Sequence, residues 1–138
     1  MYLLDTNACI SLMRNDNPHL SERFACCSRN DLVLSSIVVA ELTYGVAKSR
    51  YQKQNKQALL EFYALIPSII DFSSADAEIF GLIRACLEKN GTPIGLLDLQ
   101  IASQALNRDL TVVTHNVSEF SRIPGLKIED WSTPQSSF

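Results

Sequence analysis

Apolar positions along the chain form two kinds of run. Tyr2–Leu4, Leu32–Leu34, Ile69–Phe72 and Leu110–Val113 are three or four residues long and strand-like by length and content, and Leu126–Ile128 can add a short edge strand. Between them lie longer stretches with helical spacing and helix punctuation. After Asp5-Thr6-Asn7 the apolar pattern resumes at Ile10, Leu12 and Met13. Asn17 followed by Pro18 opens a helix to about Arg29, and Ser35 or Ser36 caps one reaching about Ser49. A helix from about Lys53 to Ile66 is stopped by Pro67, and Ser73 with Asp76 forms a capping box for one that ends at Gly91. The last long helix runs from about Leu96 to Asn107.

The resulting order, βαα-βαα-βαα-βα-β, implies an α/β fold. Parallel strands need crossover connections, and helical crossovers cover both faces of the sheet. The expectation is therefore a three-layer α/β/α domain with a mostly parallel central sheet of four or five strands. In such sheets ligands gather beyond the carboxyl ends of the strands, where Asp5 follows the first strand directly.

Composition narrows the class. With 138 residues, 46% hydrophobic and 20% charged, the chain suits one globular domain, expected over residues 1–131 with a loose tail at 132–138. No apolar run approaches the roughly 20 residues of a membrane span, and Asp5 stands where a secretory signal would be basic, so no membrane role and a cytoplasmic location are expected. Cys9, Cys26, Cys27 and Cys86 have apolar neighbours and read as buried reduced thiols. With only His19 and His115 beside them, a Cys/His zinc site is disfavoured. A net charge of −3 argues against binding nucleic acid by overall charge, while leaving room for a local basic patch.

The candidate chemistry lies in isolated acids. Asp5 is the only charged residue between Met1 and Met13, Glu41 the only one from Leu32 to Ala47, and Asp98 the only one from Gly91 to Leu106. Each sits in a stretch suited to burial, where a carboxylate must be protonated, paired or metal-bound. Two carboxylates about 4 Å apart repel by roughly 4 kcal/mol at an effective dielectric near 20, so a cluster calls for a countercharge. Oxygen ligands without Cys or His select Mg²⁺ or Mn²⁺. Simpler roles remain open: Asp5 or Asn7 as a helix cap, Glu41 as partner of a lysine, and Asp98 as a first-turn helix acid. Arg84, alone in "IFGLIRACL", reads either as a buried partner for one acid or as a phosphate contact.

Two further stretches add candidates. "THNVSEF" places Thr114, His115 and Asn116 at a strand's carboxyl end, with Glu119 a turn later and Phe120 as an anchor, although it also reads as a turn and capping sequence. His115 is not assigned as a general base. "KSRYQKQNK" supplies Lys48, Arg50, Lys53 and Lys56 around Tyr51 with no acid from Leu42 to Leu60, a basic rim for an RNA backbone or a solvated helix corner.

Taken together, "LLDTNACI", "SSIVVAELTYGV", "IGLLDLQIASQA" and "VVTHNVSEFSRIPGLKIEDW" resemble the motifs of PIN-domain ribonucleases, specifically the VapC toxins of toxin-antitoxin pairs, in order and spacing from Met1 to Trp131. The resemblance implies that Asp5 and Asp98 bind Mg²⁺ (Mn²⁺ also suits), with Glu41 and Glu119 completing an acidic catalytic pocket. It implies that Thr6, Asn7, Thr114 and Asn116 hold the acids or the phosphate, and that Arg84 lies near the pocket. It also implies an endoribonuclease cutting RNA to a 5′-phosphate and a 3′-hydroxyl, with transfer RNA, initiator transfer RNA first, as the expected substrate. A homodimer silenced by a cognate VapB antitoxin would follow. His115 and Leu97 depart from residues common in similar toxins, and neither is an acid. Competing classes are a phosphotransfer domain, which would want an Asp at Asn7 or a Lys in "THN", and a non-catalytic RNA-binding or antitoxin-titrating module on the same scaffold.

Overall fold

The computed structural model describes residues 1–134. Its elements follow the expected order: β1 (Tyr2–Leu4), α1 (Thr6–Arg14), α2 (Pro18–Cys26), β2 (Leu32–Ser35), α3 (Ser36–Ala47), α4 (Gln52–Leu65), β3 (Ile69–Ile70), α5 (Ser74–Lys89), α6 (Leu96–Arg108), β4 (Thr111–Val113), α7 (Val117–Phe120) and β5 (Lys127–Glu129). The five strands form one sheet in the order β3-β2-β1-β4-β5, every pair parallel. The central strand β1 pairs through Tyr2 with Leu32 on one side and through Tyr2, Leu3 and Leu4 with Thr111, Val112 and Val113 on the other. Helices on both faces explain why Leu3, Leu4 and all of β2 are buried, since a parallel sheet has no wet face.

Local signals act as their chemistry dictates. Asn17 caps α2 by accepting from the Leu20 amide at 3.0 Å, and Ser73 and Asp76 form the reciprocal capping box of α5. Helices α1 and α6 end on Asn15 and Asp109 at φ 52° and 54°, the left-handed conformation that Asn and Asp tolerate. Helix α2 stops at Cys26 rather than Arg29, because residues Arg29–Asp31 turn as a short 3₁₀ segment capped by Ser28. Strand β3 is shorter than its apolar run, since Phe72 has left the edge and its amide donates to the Ser36 hydroxyl.

Polar groups buried at the ends of β2 and β3 are paired. Ser35 donates its hydroxyl to Gln104, whose amide donates to the Ile70 carbonyl at 3.3 Å, so the ends of β2 and β3 are tied to α6. The expectation for cysteine holds only for Cys9. Cys26 and Cys86 are exposed and Cys27 partly so, because α2 ends at the surface and Cys86 lies on an outward stripe of α5. Of the expected tail, Ser132 accepts from the Asn17 side chain at its carbonyl, and residues 135–138 lie outside the described residues. Among the described residues no helix is long and apolar enough to cross a membrane.

Candidate active site

Asp5 occupies the junction between β1 and α1 and serves both. Its amide continues the ladder to the Val113 carbonyl at 3.1 Å, while Oδ1 accepts from the Ala8 amide at 2.8 Å and caps α1. The cap reading and the buried-acid reading are thus both true: the carboxylate is 4% exposed. Burial pushes its pKa up, offset in part by hydrogen bonds from the Thr114 side chain and the Ala8 amide, with Asp130 raising it further and His115 lowering it. Thr114 accepts from the Asn116 amide at 2.9 Å, which leaves its hydroxyl proton for Asp5.

Asp98 stands in the first turn of α6, after Gly95, which provides no side-chain cap. Its pKa is raised to about 6, first by burial and then by Asp5, Glu119 and Glu41. Asn116 opposes the rise, with its Nδ2 3.5 Å from Asp98 Oδ2 and donating to Glu119 Oε2 at 3.0 Å. Four acids on α3, α6, α7 and the end of β1 therefore share one electrostatic environment, and none is in an ion pair with a lysine or arginine among the described residues. They do not close on one point: no three His, Cys, Asp or Glu side chains among the described residues stand as a ready-made cage. The donor set nonetheless fits a Mg²⁺ ion, which typically takes one or two carboxylates and keeps its waters. Asp5 and Asp98, the two of these acids whose pKa values are raised, chiefly by burial, are the ones that would hold it.

The other expected site residues divide. Thr6 opens α1 beside Asp5, and Asn7 is exposed one residue further on. Arg84 is not a buried partner of any of the four acids: it lies on the exposed side of α5 and pairs with Glu88 one turn on, at 3.1 Å. Lys48, Arg50, Lys53 and Lys56 are exposed around the α3–α4 corner, with the Lys48 ammonium 4.7 Å from the Tyr44 ring and the Arg50 guanidinium 5.9 Å from that of Tyr51. Asp130, which no motif in the sequence singles out, reaches the site from the end of β5 and raises the Asp5 pKa. Its signal was topological, an acid just past the carboxyl end of a strand. Asp130 is itself held below the usual carboxylate range, because the Ser132 hydroxyl and amide and His115 outweigh its burial.

A pH dependence follows from Asp98. Its pKa is raised from the ordinary value of 3.8 to about 6 in the folded chain, so between those pH values the folded protein holds more protons than the unfolded one. That stability is fully present below about pH 4 and is lost as pH rises through about 6. Discounted for partial exposure, the loss is roughly 1–2 kcal/mol. In EDTA the thermal midpoint should fall between pH 5 and pH 7.5, and Asp98→Asn should flatten that fall; equal slopes in both proteins would remove Asp98 as its source.

The architecture defines a class before any comparison is made: a five-stranded parallel α/β domain with its acids gathered at the carboxyl ends of the central strands. The family model for the PIN domain matches residues 2–126. The chain is 42% identical over 130 residues to the tRNA(fMet)-specific endonuclease VapC of Salmonella typhimurium, covering 94% of this chain and 97% of that protein. It is 40% identical to ribonuclease VapC2 of Rickettsia felis, over 95% of this chain and 98% of that one. The crystal structure of VapBC2 from Rickettsia felis, bound to a promoter DNA fragment, superposes with a TM-score of 0.88 at 40% identity, covering 94% of this chain and 98% of the matched chain. The chain belongs to the PIN-domain family, in its VapC branch.

Proposed function

We propose that the chain is a Mg²⁺-dependent endoribonuclease toxin, silenced by a VapB-type antitoxin. The observation that carries this is the behaviour of Asp98, whose pKa is driven to about 6 by burial and three other acids with no lysine or arginine to offset them. A structural carboxylate would have been paired, as Asp76 is with Arg108 at 2.6 Å. When bound by Asp5 and Asp98, Mg²⁺ (or Mn²⁺) would polarise a phosphodiester oxygen and lower the pKa of a water. Thr114 and the Ala8 amide hold the Asp5 carboxylate in place. Glu119 and Glu41 are carboxylates able to take the proton from the attacking water, and Asn116 fixes Glu119 relative to Asp98. In-line attack at phosphorus then leaves a 5′-phosphate and a 3′-hydroxyl.

The names of the relatives support RNA, and one of them transfer RNA, as the substrate class. Initiator transfer RNA is the first candidate, cut in the cytoplasm where it is found. The structures of related VapBC complexes support an antitoxin partner, and a homodimer completes the reading. Sequencing the 5′ ends of RNAs that appear when the chain is induced tests it: one dominant new end in a transfer RNA supports the reading, and no new ends beyond an Asp98→Asn control would overturn it. The basic α3–α4 corner would carry backbone contacts. Changing Lys53 and Lys56 to Glu should then weaken RNA binding and reduce its salt slope by about two. An unchanged slope would leave the corner as solvated surface.

A further inference from the structure

A second feature lies beside the acids and plays no part in the chemistry above. A cavity of about 320 Å³ opens between the start of α1 and the segment after β5, walled by Asn7, Ser11, Thr114, His115, Asp130 and Trp131. Its volume lies at the lower end of small-ligand sites, enough for one nucleoside and too small for more. No lysine or arginine lines it, and its one charged wall residue is an acid, so it does not suit a phosphate. It shares Thr114 with the acidic site, since that side chain also hydrogen-bonds Asp5, and Asn7 follows Asp5 by two residues.

The polar groups in the wall are set for a neutral ligand. The Ser132 hydroxyl donates to Asp130, so at its 2.8 Å contact with His115 Nδ1 it can only accept. Nδ1 also lies 3.2 Å from Asp130 Oδ2 and therefore carries the hydrogen. This arrangement is not a nucleophilic triad, because Ser132 and Asp130 share the same ring nitrogen. Its consequence is that Nε2 is left free of these bonds, an oriented hydrogen-bonding atom on a side chain that is 78% exposed. The Asn7 amide makes no hydrogen bond among the described residues and offers both a donor and an acceptor. Ala8, Leu20 and Val113 make the remaining wall largely apolar. Trp131 is buried, edge-on to Tyr2 at 5.0 Å, and so forms a wall rather than a stacking platform.

From this geometry we infer that the cavity receives one unpaired nucleobase of the RNA, that of a nucleotide flanking the scissile phosphate, with Asn7 and His115 Nε2 meeting its hydrogen-bonding edge. Splayed single-stranded bases are the usual targets of such edge contacts. The subsite rests on the ribonuclease reading and deepens it. A base held here would fix the register of the strand relative to Asp5 through the Thr114 side chain that the cavity and the acidic site share.

The probe is a short single-stranded oligoribonucleotide that the protein cleaves at one mapped bond with Mg²⁺, resynthesised with an abasic residue at each position flanking the cut in turn. For the wild type, an abasic residue at one flanking position should lower kcat/KM about tenfold, the size of a lost pair of neutral hydrogen bonds. Ser11→Trp, which fills the cavity, should lose about as much on intact RNA and nothing further on the abasic RNA, since both remove one interaction. His115→Ala, at an exposed side chain, should do the same to a smaller extent with an unchanged thermal midpoint. The subsite is overturned if abasic residues are harmless at every flanking position, if both variants cleave intact RNA like wild type, if the two losses multiply, or if the variants alter antitoxin binding alone. Wild-type protein that cleaves no RNA would remove the nuclease reading and the subsite together.

Discussion

Asp98→Asn should leave a folded protein that cleaves RNA about a thousandfold more slowly. Metal-assisted charge stabilisation supplies several kcal/mol to a phosphodiester transition state, and each 1.36 kcal/mol is a factor of ten in rate. An amide of nearly the same shape keeps the packing but lacks the negative charge that holds a hard cation. Asp5→Asn should do the same, because Asn caps a helix as well as Asp and α1 keeps its start. Stability gives a second readout with the opposite sign. In the metal-free protein at pH 7.5, Asp98 is ionised against Asp5, Glu119 and Glu41, so Asp98→Asn should raise the thermal midpoint by a few degrees while activity disappears. Millimolar Mg²⁺ should stabilise the wild type and not the variant. A purely structural acid would lose stability on the same change, and full activity in the variant, with contaminating nuclease excluded, refutes the assignment.

Legibility in the sequence depended on which helix carried the isolated charge. An acid alone among apolar residues signals burial, and the inference holds fully for Asp5 and in part for Glu41 and Asp98, which are half-buried: β1 lies at the centre of the sheet and α6 is a core helix, with Leu99, Ile101, Ala102 and Ala105 buried. The same argument applied to Arg84 and Cys86 fails. Helix α5 keeps apolar residues on its outer side, with Leu82 75% exposed, so apolar neighbours there do not mean a dry environment. Periodicity reports which residues could face a core; only packing decides which helix is covered on all sides. Element order and strand positions were readable because parallel strands, caps and breakers are local in sequence. Asp130, His115 and Ser132 were not readable as a unit, because their meeting depends on β5 pairing beside β4, a contact between segments about 15 residues apart.

The cation that the isolated acids lack does exist in the fold, at another carboxylate, and its removal should be strongly destabilising. Asp76 is fully buried and accepts from Arg108 Nη1 at 2.6 Å, Asn107 Nδ2 at 2.9 Å and the Ser73 amide at 2.8 Å. Although burial pushes its pKa up, these partners together hold it below the usual carboxylate value. Arg108 also donates to the carbonyls of Asp71 and Gln104, so one guanidinium joins the C-terminal end of α6 to the start of α5. Arg108→Ala strands a buried charge, and the cost should be about 3 kcal/mol, on the order of 10 °C in thermal midpoint. Because the folded pKa of Asp76 is depressed, the pair's contribution is present above about pH 4 and fades as pH falls through the folded value, so wild type and variant should converge in stability in acid. Adding Asp76→Asn to Arg108→Ala should recover part of the loss. Arg108 lies ten residues, about 15 Å of helix, from Asp98, so RNA cleavage per folded molecule should be unchanged. A variant that melts like wild type would mean that the Asp76 carboxyl is neutral in the fold, and one that stays folded but inactive would mean that α6 transmits strain along its length to the site.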